Sequence, residues 1–144
     1  MSKITNLYFE ELGPPNYLED ATTFRMRVAD RLRNNHGIVK EEKFIGLKEN
    51  GIRFKADIIL QDKMIVIDTK LKNCKGTIDE KIMDKCFWMQ YACDNWNFKR
   101  GIIIYGGIGW NKPLVAYLRD KIITKHFPNI SMIRYEDDVE IKNV

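Results

Sequence analysis

Cysteine and histidine are scarce in this chain, at three and two residues of 144. Cys74, Cys86 and Cys93 are odd in number and lack CxxC spacing, which excludes a disulfide framework and a structural zinc site. They read as small buried hydrophobes. His36 and His126 each adjoin a helix end, where imidazole caps carbonyls, and neither joins a Ser/His/Asp or Cys/His set suited to nucleophilic catalysis. No run approaches the ~20 apolar residues of a membrane span, and the N-terminus lacks the short apolar core of a signal peptide. A soluble, cytoplasmic protein with no membrane partner is expected. Glycine gathers in Gly106-Gly107-Ile108-Gly109-Trp110, but this spacing is neither a P-loop nor a dinucleotide fingerprint, and no small-molecule cofactor is expected.

What is present is a chain long enough for one core and too short for two, so residues 1–144 are expected to form a single domain. Hydrophobic residues at 44% and charged ones at 31% suit a globular protein. The net charge of +4 is unevenly spread. Residues 136–144 hold four acids and one base and read as an acidic tail, so residues 1–135 carry 23 basic against 16 acidic side chains, or +7. A polyanionic partner fits that balance, since phosphate neutralisation drives non-specific nucleic-acid affinity.

Two predicted strands carry charge inside apolar, β-branched runs. Asp57 lies in Lys55-Ala56-Asp57-Ile58-Ile59-Leu60, and Asp68-Thr69-Lys70 closes Met64-Ile65-Val66-Ile67. Charges so placed cost free energy unless a metal, a partner or water compensates them. Alternation puts Met64, Val66, Asp68 and Lys70 on one face, and Lys55, Asp57 and Ile59 on one face of the preceding strand, opposite Ala56, Ile58 and Leu60. Gln61-Asp62-Lys63 folds the pair into a hairpin. With Asp57 beside Asp68, two carboxylates and an ammonium converge, a set suited to Mg²⁺-assisted phosphodiester hydrolysis. The alternative is a cross-strand ion pair on a solvated face, worth roughly 0.2–1 kcal/mol.

Asp57, ten residues, then Asp68-Thr69-Lys70 resembles the signature of the PD-(D/E)XK nuclease superfamily, which includes restriction endonucleases, junction resolvases and repair nucleases. The expected order of elements matches it along nearly the whole chain. The resemblance implies an α/β, restriction-endonuclease-like core of αβββαβ order plus a C-terminal αβ, with a central mixed β-sheet flanked by helices. It implies a Mg²⁺-dependent DNA endonuclease of restriction type, with Mn²⁺ able to substitute. Asp57, Asp68 and the Thr69 carbonyl would be metal ligands and Lys70 the water-orienting group. A Holliday-junction resolvase or repair nuclease is the close alternative, and a nucleic-acid-binding module without chemistry is the alternative of another class. Ala56 replaces the motif's frequent proline, and Phe24-Arg25 stands where resolvase-like members carry a helical glutamate. Glu42 is the best candidate for an additional acid. So small a chain covers few base pairs, so a homodimer is expected to cut both strands.

Elsewhere, residues 1–19 read as an irregular lead-in. A helix from Ala21 to Asn34 buries Phe24, Val28 and Leu32 and crowds Arg25, Arg27, Arg31 and Arg33 on its other face, either solvated or DNA-facing. A strand from Ile38 to Leu47 precedes the hairpin. Thr77-Ile78-Asp79-Glu80 is a capping box that opens a helix with Ile78, Ile82, Cys86, Met89 and Cys93 on its buried stripe. Gly76-Thr77-Ile78-Asp79-Glu80-Lys81 also resembles the Gly-Thr-x-x-Glu-Lys segment of some small restriction-type nucleases. That resemblance implies phosphate contacts at Thr77 and Lys81, and Lys72, Lys75, Lys81 and Lys85 form a basic patch. Gln90 stands near the place of a glutamine that recurs in the RecB-like branch. A strand from Gly101 to Tyr105, a helix from Pro113 with Leu114, Leu118 and Ile122, and a strand from Ile130 to Arg134 complete the expected elements.

Overall fold

The computed structural model describes residues 20–74 and 81–144. The lead-in, Lys75 and the capping box at 77–80 lie outside these. The chain opens with helix α1 (Ala21–His36), capped by Asp20, whose carboxylate accepts from the Thr23 amide at 2.7 Å. Strands β1 (Val39–Leu47), β2 (Arg53–Leu60) and β3 (Ile65–Leu71) follow, then α2 (Lys81–Asn95) and β4 (Arg100–Gly106). Helix α3 starts at Lys112–Tyr117, continues through a π-helical stretch at Leu118–Ile123 and ends in the turn Thr124–His126. Strand β5 (Ile130–Arg134) and a short helix α4 (Asp138–Lys142) complete the order.

The five strands lie in the order β1-β2-β3-β4-β5. The first two junctions are antiparallel and the last two parallel, so the sheet is mixed, as expected. Short turns make the antiparallel pairs. Gly51, at φ 83, serves the first. The second is a 3₁₀ turn, Gln61–Lys63, closed by Met64 at φ 53. Parallel pairing needs crossovers, and α2 and α3 supply them.

Two apolar clusters form on opposite faces of the sheet. Phe24, Val28 and Leu32 of α1 and Ile141 of α4 pack on Ile58, Leu60, Ile65, Ile67, Ile102 and Ile104. On the other face, Ile82, Cys86 and Met89 of α2 and Val115, Leu118 and Ile123 of α3 pack on Val66, Ile103, Tyr105 and Met132. The central strands are therefore apolar on both sides, which is why β4 reads as a continuous hydrophobic run.

Several expectations are corrected. Residues 136–144, expected as an acidic tail, include the helix α4, which packs against α1, and Ile141 and Val144 are buried. Arg31 pairs with Asp138, and the His36 ring binds the Ile141 carbonyl at 2.9 Å. On α3 the buried residues are Val115, Leu118 and Ile123, while Leu114 is exposed. A π-helical turn carries an extra residue, so the stripe steps by five after Leu118. Cys74 is exposed rather than buried. Along β2, Ala56 shares a cluster with Ile59 rather than with Ile58, so alternation slips at Asp57.

Candidate active site

The slip at Asp57 coincides with the end of the β2–β3 ladder. The last paired residues are Ile58 and Ile67, and one step further along each strand come Asp57 and Asp68. Across β1, the pairs Glu41–Ile58 and Lys43–Ala56 bracket Asp57 with Glu42, which stands at φ 49. A positive φ in a strand marks a local distortion of this kind. The Asp57 side chain takes over where the ladder stops. Its Oδ2 accepts from the Thr69 amide at 2.9 Å and from Thr69 Oγ1 at 3.1 Å, fixing the carboxylate against β3.

Asp57, Asp68, Thr69 and Lys70 line one cavity of about 210 Å³, together with Lys81, Ile82 and Lys85 of α2. The strands thus supply both carboxylates and one ammonium, and the first turns of α2 supply two more lysines. Asp68 is only 7% exposed. Burial pushes its carboxyl up to about 7, and the neighbouring Asp57 charge pushes in the same direction, while Lys85 acts against both. Lys85 Nζ lies 3.5 Å from Asp68 Oδ1 and 5.8 Å from the centroid of the Phe54 ring. Chemically the site is a pair of oxygen acceptors, one of them deeply desolvated, ringed by ammonium groups.

A buried carboxylate kept beside a second one is a poor arrangement for an empty core and a suitable one for a hard cation. Two aspartates leave most of such a cation's coordination shell to water and substrate. Among the described residues no three His, Cys, Asp or Glu side chains gather into a cage.

Other predicted residues fall elsewhere. Glu42 does not line the cavity. It sits on the edge strand, and its Oε1 accepts from Arg25 Nη1 of α1 at 2.9 Å. Arg25 and Arg33 also hold Glu41, at 3.4 and 2.7 Å, which ties down the helix face expected to be solvated or DNA-facing. Lys72 lies over the Trp110 ring at 5.7 Å instead of in the cavity. Lys75 and Thr77 lie outside the described residues. Gln90 braces the turn before β5, bonding Asn129 through both ends of its amide. The sequence placed Lys85 in a phosphate patch, and its contact with Asp68 was not foreseen. Its spacing one turn from Lys81 was the available signal.

The family model of the PD-(D/E)XK nuclease superfamily domain matches residues 21–143, most of the chain. The chain belongs to the PD-(D/E)XK nuclease superfamily. Its fold is α/β and restriction-endonuclease-like, its class of activity is that of a nuclease, and superfamily members generally use divalent metals. No curated protein and no solved structure matches it.

Proposed function

We propose that this protein is a Mg²⁺-dependent endodeoxyribonuclease that hydrolyses phosphodiester bonds of DNA, of restriction type and acting as a homodimer with one cavity for each strand. The observation that carries this reading is the convergence of Asp57, Asp68, Lys70, Lys81 and Lys85 on one cavity, with Asp68 buried.

Asp57, Asp68 and the Thr69 carbonyl would hold the cation. When bound, a divalent ion supplies Lewis acidity to a phosphate oxygen and lowers the pKa of water. The chain's own groups do the rest. Thr69 holds Asp57 in place through two hydrogen bonds. Lys85 favours the ionised form of Asp68, the form able to act as a ligand. Lys70 orients the attacking water and neutralises charge that develops on the phosphate. Lys81, on the first turn of α2, meets the backbone of the same strand.

The test is incubation of plasmid DNA with wild type, Asp68→Ala and Lys70→Ala, each with Mg²⁺ and with EDTA. Only wild type with Mg²⁺ should nick or linearise the plasmid, and each variant should lose at least about 10²-fold in rate. Equal cleavage by Asp68→Ala, or cleavage in EDTA, removes the reading. Retention of DNA by wild type with no cleavage under Mg²⁺ or Mn²⁺ would favour a binding module instead.

A further inference from the structure

A separate cavity of about 270 Å³ lies at the carboxyl ends of β4 and β5. Tyr105 and Trp110 wall one side, the face of α3 bearing Lys112, Val115 and Arg119 walls the other, and Arg134 reaches it from β5. The rings of Tyr105 and Trp110 meet edge to face at 5.0 Å, and Trp110 Nε1 donates to the Gly106 carbonyl at 2.6 Å, so this wall is fixed. Its rim is basic. Lys72 stands over Trp110, and the Arg134 guanidinium lies 5.7 Å from the Tyr105 ring centroid.

Strand register ties this cavity to the candidate active site. Lys70 pairs with Tyr105, and Tyr105 pairs with Arg134, so one row of three residues crosses the ends of β3, β4 and β5. Lys70 lines the first cavity, and the other two line the second. Neighbouring strands lie about 4.8 Å apart, so the backbones of Lys70 and Arg134 are within about 10 Å.

We propose that this second cavity holds an unpaired nucleotide of the DNA strand next to the scissile phosphate, with the base between Tyr105, Trp110 and Val115 and its phosphate at Arg119 and Arg134. This rests on the nuclease reading and narrows the substrate class to DNA with a single-stranded or splayed nucleotide beside the cut. Apolar, aromatic walls take a flat heterocycle, and guanidinium groups take a phosphate through paired donors. Two acids stand close. Glu136 Oε1 forms an ion pair with Arg134 Nε at 2.7 Å, and Arg134 Nη2 donates to the Gly107 carbonyl at 3.4 Å; Asp120 accepts from Arg119 Nε at 3.0 Å and Nη2 at 3.5 Å. Each guanidinium has five N–H donors, so these contacts orient the forks and leave donors for a ligand. A base inside a duplex would have to leave its stack to enter, so the cavity discriminates by strand structure.

The test reads binding in EDTA by fluorescence anisotropy, with a labelled, fully paired duplex and the same duplex carrying a splayed end. Wild type should bind the splayed DNA about tenfold more tightly than the duplex. The Arg119→Gln/Arg134→Gln double variant and Ala116→Phe, which fills the cavity that Ala116 also lines without altering charge, should both lose that preference and keep duplex affinity within about twofold. Thermal melts establish that each variant is folded. Equal binding of both DNAs by wild type, or equal loss of both by the variants, overturns the proposal. If dAMP binds wild type while splayed DNA shows no advantage, the cavity serves a free nucleotide and the proposal fails. Because the readout needs no cleavage, Asp68→Ala should retain the preference, so the failure of one reading is distinguishable from that of the other.

Discussion

Asp68 is a carboxylate that folding places where its ionised form is costly. Its pKa rises from the ordinary value near 3.8 to about 7, chiefly through burial and then through Asp57. The folded state therefore holds a proton that the unfolded chain releases between about pH 4 and 7. Metal-free stability should fall as pH rises through that window and level off above it, by on the order of 2–4 kcal/mol. Asp68→Asn, neutral at every pH, should flatten the curve and raise the melting temperature at pH 8 in EDTA. Mg²⁺ should stabilise wild type at pH 8 and leave this variant unmoved. Melting temperatures recorded from pH 4 to 8 check this, and a wild-type curve that rises with pH would contradict it. At this scale Asp57, Asp68 and Lys70 were legible because charges inside apolar strands stand out from their neighbours. Lys85 was not, because its contact with Asp68 spans 17 residues of sequence and depends on how α2 lies over β3. For Glu42 the acidity was visible in the sequence and the partner Arg25 was not.

Elements are placed here by close backbone approach as well as by side-chain packing. The turn after β4 presses against the segment that leaves β3: Lys72 donates its amide to the Gly106 carbonyl at 3.0 Å, and Gly109 donates to the Lys72 carbonyl at 2.8 Å. A Cβ on Gly109 would lie 2.3 Å from the Cys74 carbonyl oxygen, and one on Gly107 equally close to that of Lys72. The sequence showed these glycines without saying what approached them. Gly109→Ala should destabilise by roughly 1–3 kcal/mol and should also slow cleavage, since residues 72–74 connect β3 to the helix that carries Lys81 and Lys85. Denaturant titration beside plasmid cleavage measures both effects. A fully stable, fully active variant would show that the contact carries no strain. Strands and helices were legible because alternation and 3.6-residue spacing are local properties. The π-helical stretch of α3 was not, since one inserted residue leaves the composition unchanged and shifts only which side chains face the sheet.

The described residues form a sheet with α1 and α4 on one face and α2 and α3 on the other. Four acids close together read as solvated, and Ile141 and Val144 are too sparse to announce a buried helix, which is why α4 escaped the sequence. Its packing is testable. Ile141, 1% exposed, should cost about 2–5 kcal/mol when replaced by alanine, whereas Val139→Ala, at a site 68% exposed, should change stability by less than about 0.5 kcal/mol. Equal effects in chemical denaturation would mean that α4 contributes no packing.

The uneven exposure of the three cysteines gives the molecule a practical property. Cys86 and Cys93 hold their thiols at about 12 and 11, mainly through burial, and so resist alkylation at neutral pH. Cys74 is exposed on the chain that leaves β3, ahead in sequence of the helix that brings Lys85 to Asp68. A maleimide dye would therefore attach at one place without any engineering, on the segment that leaves β3.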